Sequence, residues 1–309
     1  MKGDLLSVAD LDRKEIEQLI REARDMKRER ASSLLSGRTL ALLFEKPSLR
    51  TRVTFDLAMY QLGGHCIYLS PEEVGLGKRE AAADIARVLS RYVDGIAART
   101  FSQETLHILA SYSSVPVINA LSDLEHPCQA LADLLTIYEK KGKLPGLKLA
   151  FIGDGNNVAN SLLLSACLVG MNFHLACPPG YEVREELLNQ GKKFAAVSGS
   201  QIRLTNDPNE AAKGADIIYT DVWTSMGQEA ERKKRRDAFS GYQVNSKLLS
   251  LAKEDVLFMH PLPAHYGEEI SAGLLDDPRS VVFDQAENRL HLQKVLLVKL
   301  LSNARIAGK

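Results

Sequence analysis

The sequence predicts an α/β protein of two domains, each with a parallel sheet flanked by helices. The chain has 309 residues, more than one compact domain usually contains. Short apolar runs alternate with segments of helical spacing, which is typical of parallel sheets with helical crossovers. A polar, breaker-rich stretch at residues 140–146 directly precedes a second strand–helix series. We place the domain boundary there.

The first predicted domain covers residues 1–142. Apolar residues from Ile16 to Met26 follow helical spacing, and Asp12 with Glu15 forms a capping pair at the start of this helix. Four buried strands are predicted from the apolar runs that follow, at residues 39–44, 66–69, 95–98 and 115–118.

The second predicted domain covers residues 143–285. Its strands are predicted at residues 147–152, 173–176, 202–204, 215–220, 256–259 and 281–283. The remaining residues, 286–309, are predicted to form a helix to about residue 304 that packs back on the first domain. We expect the active site in the cleft between the two domains.

Composition excludes several classes of protein. Lys plus Arg equals Asp plus Glu at 39 each, so there is no overall basic field for nucleic acid or an anionic membrane. The N-terminus lacks the apolar run of a signal peptide, and no stretch approaches the roughly 18 apolar residues of a membrane span. The cysteines are too scattered for zinc spacing or a disulfide scaffold: Cys66, Cys128, Cys167 and Cys177. We expect reduced thiols, no metal and a cytoplasmic protein.

A phosphate site is predicted at residues 48–52. The strand before it ends at Pro47, and apolar spacing after it predicts a helix that stops at Gly63-Gly64. Ser48 to Arg52 therefore lie at a helix N-terminus, where unpaired N–H groups and the helix dipole favour an anion. Arg50 and Arg52 add charge-assisted donors. The alternative is that Ser48 only caps the helix and that both arginines are solvated.

Two further polar segments follow predicted strands. Arg99 follows the third strand, and the segment 126–129 (His-Pro-Cys-Gln) follows the fourth. Open α/β sheets bind ligands at the carboxyl ends of their strands. The coincidence favours the phosphate site over a simple helix cap.

Seven segments form a longer pattern across nearly the whole chain: FEKPSLRTR (44–52), Arg99, HPCQ (126–129), GDGNN (153–157), DVWTSMG (221–227), HPLPA (260–264) and ENR (287–289). This pattern resembles the aspartate/ornithine carbamoyltransferase family. The resemblance implies transfer of a carbamoyl group from carbamoyl phosphate, with no cofactor, in a homotrimer or higher homo-oligomer. It also implies a place in arginine metabolism.

The resemblance implies roles for individual residues. The phosphate is bound by Ser48, Leu49, Arg50 and Thr51, and the carbamoyl group by Arg99, His126 and Gln129. Leu262 and Arg289 complete the implied carbamoyl phosphate site. The implied catalytic set is Arg50, Arg99, His126 and Pro261.

The acceptor is predicted from the segment 221–227. Asp221 and Ser225 offer a carboxylate and a hydroxyl, which suit a cationic amine. An aspartate acceptor would need arginines for its two carboxylates, and the aspartate branch of the family has Arg where this chain has Ala264. The ornithine branch implies that Asp221 and Ser225 hold the α-ammonium, while Asn157 and the Met226 backbone fix the amino-acid end. The expected product of L-ornithine is L-citrulline; putrescine, N-acetylornithine and aspartate are the alternative acceptors.

Three positions depart from the family's pattern. The ornithine branch usually has Cys against the reacting amine where this chain has Pro261, which still offers its carbonyl. Leu49 replaces a usual Thr, although its N–H can still donate. Gly75 stands where a Gln commonly reaches the carbamoyl phosphate of a neighbouring subunit, with Lys78 as a candidate replacement.

Two other classes of protein stay open on the residues alone. Gly153 and Gly155 between a strand and a helix allow a nucleotide-dependent oxidoreductase, but the third fingerprint glycine and an acidic ribose ligand are missing. A non-catalytic relative that only binds or assembles is the other class, because Leu49, Gly75 and Pro261 are altered.

Overall fold

The computed structural model describes residues 3–28, 31–76, 79–225 and 227–302. The chain divides into two compact units. Unit 1 comprises Met1–Leu135 with Glu287–Lys309, and unit 2 comprises Thr136–Ala286. Each unit contains one parallel sheet flanked by helices, so the predicted fold class is confirmed.

The sheet of unit 1 has four parallel strands in the order β2-β1-β3-β4. They are β1 (Thr39–Phe44), β2 (His65–Leu69), β3 (Gly95–Arg99) and β4 (Val117–Leu121). Phe44 lies opposite Arg99, and Arg99 lies opposite Leu121, so three strands end side by side. Residues 40–44 of β1 and all of β3 are buried, which explains the apolar runs at residues 40–44 and 95–98.

The helices of unit 1 pack around this sheet. They are α1 (Arg13–Met26), α2 (Leu49–Gln61), α3 (Pro71–Val74), α4 (Ala82–Leu89), α5 (Gln103–Tyr112) and the first part of α6 (Pro127–Lys141). The predicted capping pair is confirmed, because Asp12 accepts from the Glu15 N–H at 2.8 Å and Glu15 accepts from the Asp12 N–H at 3.0 Å.

The sheet of unit 2 has five parallel strands in the order β7-β6-β5-β8-β9. They are β5 (Lys148–Ile152), β6 (Asn172–Ala176), β7 (Ile202–Thr205), β8 (Ile217–Tyr219) and β9 (Leu257–Met259). Its helices are α7 (Asn157–Val169), α8 (Glu185–Ser198), α9 (Pro208–Ala212), α10 (Arg232–Ala238) and α11 (Ser246–Leu249). An aromatic cluster of Trp223, Phe239 and Tyr242 belongs to the buried core of this unit.

The predicted strand at residues 281–283 is wrong. The last helix, α12 (Val282–Leu301), begins there, four residues before the predicted start at residue 286. Its first turn is already helical, because the Gln285 N–H donates to the Val281 carbonyl at 2.8 Å. Sequence periodicity misled here because a three-residue apolar run does not distinguish a strand from a helix. The predicted helix end at residue 304 lies outside the described residues.

One further boundary changes the position of a site residue. Residues 215–220 were expected to form a strand reaching Asp221, but β8 ends at Tyr219. Asp221 therefore lies in the loop two residues beyond the strand. Thr220 between them is still bonded to the sheet, since its N–H donates to the Met259 carbonyl at 3.2 Å and its hydroxyl donates to the Ile152 carbonyl at 2.6 Å.

None of the described helices is long and apolar enough to cross a membrane. The four cysteines are all free.

Candidate active site

In unit 1 the strand ends bring three predicted segments to one edge of the sheet. The Glu45 N–H donates to the Arg99 carbonyl at 2.8 Å, and the Glu45 carboxylate accepts from the Phe101 N–H at 2.8 Å. The Thr100 N–H donates to the Leu121 carbonyl at 2.9 Å. Hydrogen bonds thus join the loop after β1, the loop after β3 and the end of β4, as expected for ligand-binding loops of a parallel sheet.

The loop after β1 ends in a capped helix. Ser48 is the N-cap of α2, and its hydroxyl accepts from the Thr51 N–H at a long 3.4 Å. The next N–H groups, of Leu49 and Arg50, have no partner within the helix by its geometry. Leu49, which stands where the family usually has Thr, is 76% exposed. It is the first residue of α2, so its backbone N–H is at the helix start whichever side chain it carries. Ser48 does cap the helix, and the helix start still offers donors to an anion.

Arg52 has a different environment from Arg50. Its guanidinium lies 3.9 Å from the centre of the Tyr68 ring on β2, as a cation–π contact. Arg52 is therefore held against the neighbouring strand.

Arg289 reaches the same helix start from α12. Its guanidinium donates from Nη2 to the hydroxyl of Thr51 at 2.8 Å, and both residues are buried. The contact joins residues 238 positions apart, which only the fold brings together. Arg99 is also buried at the end of β3.

The arginines of this site influence each other. Burial, followed by the charges of Arg289 and Arg50, lowers the pKa of Arg99 to about 10. Burial also lowers the pKa of Arg50. Cations held close together and away from water favour a bound anion, which offsets both the desolvation and the mutual repulsion.

His126 lies against this positive cluster. Burial, then the charges of Arg289 and Arg99, hold the pKa of His126 well below its ordinary value. The imidazole is therefore neutral at physiological pH, so that it can exchange hydrogen bonds with a polar group without adding charge.

Buried polar atoms that make no hydrogen bond within the described residues include Nε of Arg99 and Oε1 of Gln129. The Gln129 amide nitrogen, in contrast, donates to Asp133 at 2.8 Å. Buried polar groups are nearly always paired, so these two atoms indicate a polar ligand.

In unit 2 the ends of neighbouring strands β5 and β8 hold the predicted acceptor carboxylate. Asn156 caps α7 and donates from its amide to Asp221 at 2.7 Å; Asp221 also accepts from the Val222 N–H at 2.8 Å. Burial raises the pKa of Asp221, and these hydrogen bonds oppose the shift. A cationic amine would supply the positive charge that favours the ionised carboxylate.

The other predicted acceptor residues lie at the start of α7 and in the loop that follows β8. Asn157 is the first residue of α7. The Ser225 N–H donates to the Gln228 side chain at 3.1 Å, and Met226 lies outside the described residues. Ser225 is half-buried.

Pro261 and Leu262 follow β9 in an unusual turn. Leu262 has φ 54°, the left-handed region that non-glycine residues seldom adopt, and precedes a cis proline. The Leu262 N–H donates to Nδ1 of His260 at 2.9 Å, and Nε2 of His260 lies 3.2 Å from the buried Glu269 carboxylate. The turn that carries Leu262 therefore rests on a buried His–Glu pair.

Sequence reasoning did not identify Arg235, which holds the loop after β8 that carries Asp221 and Ser225. Arg235 is buried, and its Nη1 donates to Asp154 at 2.8 Å and to the Trp223 carbonyl at 3.1 Å. This pair joins the loop after β5 to the loop after β8. Arg235 belongs to the basic run at residues 232–236, where nothing in the sequence distinguishes it from solvated neighbours.

Two glycines of the predicted motifs have structural explanations. A Cβ on Gly155 would lie 2.3 Å from the Glu182 backbone, so this glycine is required by packing against that loop. Gly75 ends α3 with φ 53° in the left-handed region, which a Gln would adopt only with strain. Lys78 lies outside the described residues.

Comparison with known proteins assigns the family. Two family models of aspartate/ornithine carbamoyltransferase match: the carbamoyl-P binding domain over residues 3–139 and the Asp/Orn binding domain over residues 145–300. An ornithine carbamoyltransferase of Anoxybacillus flavithermus is 54% identical over 97% of this chain and 98% of its own length. One of Thermococcus kodakarensis is 50% identical over 98% of each chain. The solved structure of ornithine carbamoyltransferase from Pyrococcus furiosus superposes with TM-score 0.94 at 50% identity, covering 97% of both chains.

The donor-side residues expected from the resemblance lie in unit 1, apart from Leu262, and the acceptor-side residues lie in unit 2. The sequence matches cover nearly the whole chain at high identity, and the fold matches a solved relative over the same length. The chain belongs to the aspartate/ornithine carbamoyltransferase family.

Proposed function

We propose that this protein transfers the carbamoyl group of carbamoyl phosphate to the δ-amine of L-ornithine, giving L-citrulline and phosphate. The observation that carries the proposal is the positive cluster of Arg50, Arg99 and Arg289, the last two buried, beside a neutral His126. The relatives named ornithine carbamoyltransferase, at 54% and 50% identity, support the acceptor.

Donor binding is assigned to residues of unit 1, supplemented by one from the turn after β9. The phosphate lies at the start of α2 with Ser48, Leu49, Arg50 and Thr51. The carbamoyl group lies with Arg99, His126 and Gln129, whose two unpaired polar atoms support a polar ligand there. Arg289 and Leu262 complete the set. The functional domains are those predicted from the sequence, residues 1–142 for carbamoyl phosphate and 143–285 for ornithine.

The reaction is an addition followed by an elimination. Carbamoyl phosphate binds first, and the neutral δ-amine attacks its carbonyl carbon to form a tetrahedral intermediate. The C–O bond to phosphate then breaks, and phosphate leaves with that electron pair and takes up the proton that the nitrogen loses, so that citrulline and hydrogen phosphate are released. Arg50, Arg99 and His126 stabilise charge on the carbonyl and phosphate oxygens, as preorganised donors do in acyl transfer.

The acceptor side is assigned to residues of unit 2. Asp221 and Ser225 hold the α-ammonium, while Asn157 and the Met226 backbone fix the amino-acid end. The raised pKa of Asp221, caused first by burial, supports a cation-binding role, since an ammonium would stabilise its ionised form. Pro261 contributes its carbonyl beside the reacting amine and brings no thiol to this position.

The acceptor is ornithine, with putrescine, N-acetylornithine and aspartate as alternatives. Ala264 stands where the aspartate branch has Arg, so one carboxylate partner is absent. Putrescine stays an alternative, because it lacks only the α-carboxylate of ornithine, and its second ammonium would suit Asp221 with Ser225 as well.

A homotrimer or higher homo-oligomer in the cytoplasm completes the proposal. Support comes from an apolar stripe along α2, where Leu49, Val53, Leu57 and Tyr60 are 76%, 50%, 37% and 77% exposed. Helical spacing puts these residues on one side of α2, and exposed apolar patches mark interaction surfaces. The four free cysteines support a reducing compartment.

The test supplies carbamoyl phosphate with each of four acceptors: ornithine, putrescine, N-acetylornithine and aspartate. The ureido product and released phosphate are measured for each. We expect the highest kcat/KM with ornithine. A higher kcat/KM with another acceptor would reassign the substrate, and no turnover with any acceptor would favour a non-catalytic relative. Binding of NAD by titration would favour the oxidoreductase instead.

A further inference from the structure

A buried carboxylate precedes the neutral histidine of the site. Glu125 is 1% exposed, and its two oxygens accept from the Ser7 hydroxyl at 2.5 Å and from the Val8 N–H at 3.1 Å. A carboxylate in such a place is costly unless it is hydrogen-bonded. Its partners come from the N-terminal segment, 117 and 118 positions away in sequence.

The N-terminal segment is itself fixed on β4. The Leu5 N–H donates to the Val117 carbonyl at 2.9 Å, and the Asn119 N–H donates to the Leu5 carbonyl at 2.8 Å. The Asn119 side chain adds a bond to the Leu6 carbonyl at 2.8 Å. Ser7 and Val8 therefore stand at a defined place beside the end of the strand.

The turn between β4 and α6 is closed on both sides of Glu125. The Ser122 N–H donates to the Glu125 carbonyl at 2.9 Å, and the Glu125 N–H donates to the Ser122 hydroxyl at 3.1 Å. The His126 carbonyl accepts from the Gln129 and Ala130 N–H groups at 3.1 and 3.2 Å, which begins α6. The backbone of His126 is thus held between a fixed turn and a helix start.

We propose that Glu125 is a positioning residue for His126, and that Ser7 and Val8 hold it in place from the N-terminal segment. This inference rests on the proposed function, because it gives His126 a substrate to contact. The physical argument is that Glu125 and His126 are adjacent residues joined by one peptide unit, so a change in the position of Glu125 displaces that unit as well. A shift of that unit moves the imidazole relative to the carbamoyl group.

The test replaces Glu125→Gln, which keeps the size of the side chain but puts an NH2 donor in place of one of the two oxygens that accept from Ser7 and Val8. We expect kcat/KM for carbamoyl phosphate to fall roughly ten- to a hundredfold, the range for a misplaced catalytic group. The KM for ornithine is expected to stay within about twofold. Steady-state kinetics with each substrate varied, together with carbamoyl phosphate affinity by calorimetry, measure both.

Ser7→Ala provides a milder variant should the first one fold poorly. It removes one donor and leaves the carboxylate in place, so we expect a smaller loss in the same direction. The double variant is expected to be no worse than Glu125→Gln alone, since the two groups act through one contact.

Asp4→Ala is the matched control. Asp4 also carries a carboxylate in the N-terminal segment, and it accepts from the Val117 N–H at 2.7 Å. Val117 is the first residue of β4, whereas His126 follows the last residue of that strand. We expect a lower Tm with unchanged kcat/KM. If Glu125→Gln likewise lowers only Tm, Glu125 is a mere anchor and the inference is overturned. Failure of the wild-type protein to bind carbamoyl phosphate would overturn the proposed function. Normal wild-type turnover together with an unchanged kcat/KM of Glu125→Gln would overturn only the role of Glu125.

Discussion

At the scale of single residues, the site of unit 1 depends on burying arginines beside a histidine that stays neutral. Arg99 keeps its charge at physiological pH, because burial and the charges of Arg289 and Arg50 lower its pKa only to about 10. His126, more deeply affected, loses its charge. The result is a rigid set of donors that needs no reorganisation when negative charge develops.

Replacing Arg99→Met is expected to lower kcat by about 10²–10³, the usual loss for one oxyanion donor. Initial rates of citrulline formation measure the change. Arg24→Met on the exposed side of α1 is the control, with an expected rate close to wild type. An Arg99→Met variant with wild-type kcat would contradict the assignment of Arg99 to the reacting oxygens.

The pH dependence should follow the acceptor. His126 is neutral across pH 6–9 because burial and its arginine neighbours lower its pKa, and Arg99, with a pKa of about 10, remains charged up to pH 9. The ornithine amine has an unperturbed pKa of about 10.4, so its reactive fraction rises about tenfold per pH unit. We expect kcat/KM for ornithine to climb from pH 6 to 9. A kcat/KM for ornithine that stayed constant from pH 6 to 9 would contradict the idea that no protein thiol or other base assists the amine.

At the scale of elements, the loop from Asp221 to α10 is held by a buried ion pair. Burial raises the pKa of Asp154 to about 6, although the charge of Arg235 opposes the shift. Asp154 is therefore mostly ionised at neutral pH and pairs with Arg235, which also holds the Trp223 carbonyl. Loop position, and with it Ser225, depends on this pair.

Arg235→Met is expected to destabilise the protein by about 3–5 kcal/mol, because it leaves a buried carboxylate unpaired. Urea unfolding followed by circular dichroism measures the change. The control is Arg232→Met, because Arg232 lies on the same helix as Arg235 but makes an exposed ion pair with Glu268. We expect its loss to lower the free energy of unfolding by less than about 1 kcal/mol. Equal effects of the two variants would mean that burial of the Arg235 pair is irrelevant.

At the scale of the whole molecule, the exposed stripe on α2 predicts self-association. Val53→Asp puts a charge in the middle of the stripe and is expected to lower the oligomeric mass measured by sedimentation velocity. Val197→Asp is the control, since Val197 on α8 is 90% exposed without an apolar stripe around it and should leave the mass unchanged. A Val53→Asp protein of wild-type mass would exclude this face as the contact.

The α/β class, the order of the elements and the motif residues were predictable from sequence patterns, because strand and helix periodicities and the Ser48–Arg52 pattern are local. The prediction failed at residues 281–283, where three apolar residues fit a strand or a helix and the folded protein forms the helix. The bond between Arg289 and Thr51, the burial of Arg235 and the contacts of the N-terminal segment with Glu125 arise only from tertiary packing. These contacts join residues far apart in the chain. Burial and the charges of neighbours, which set the pKa values of the site, exist only once the sheet has brought the loops together.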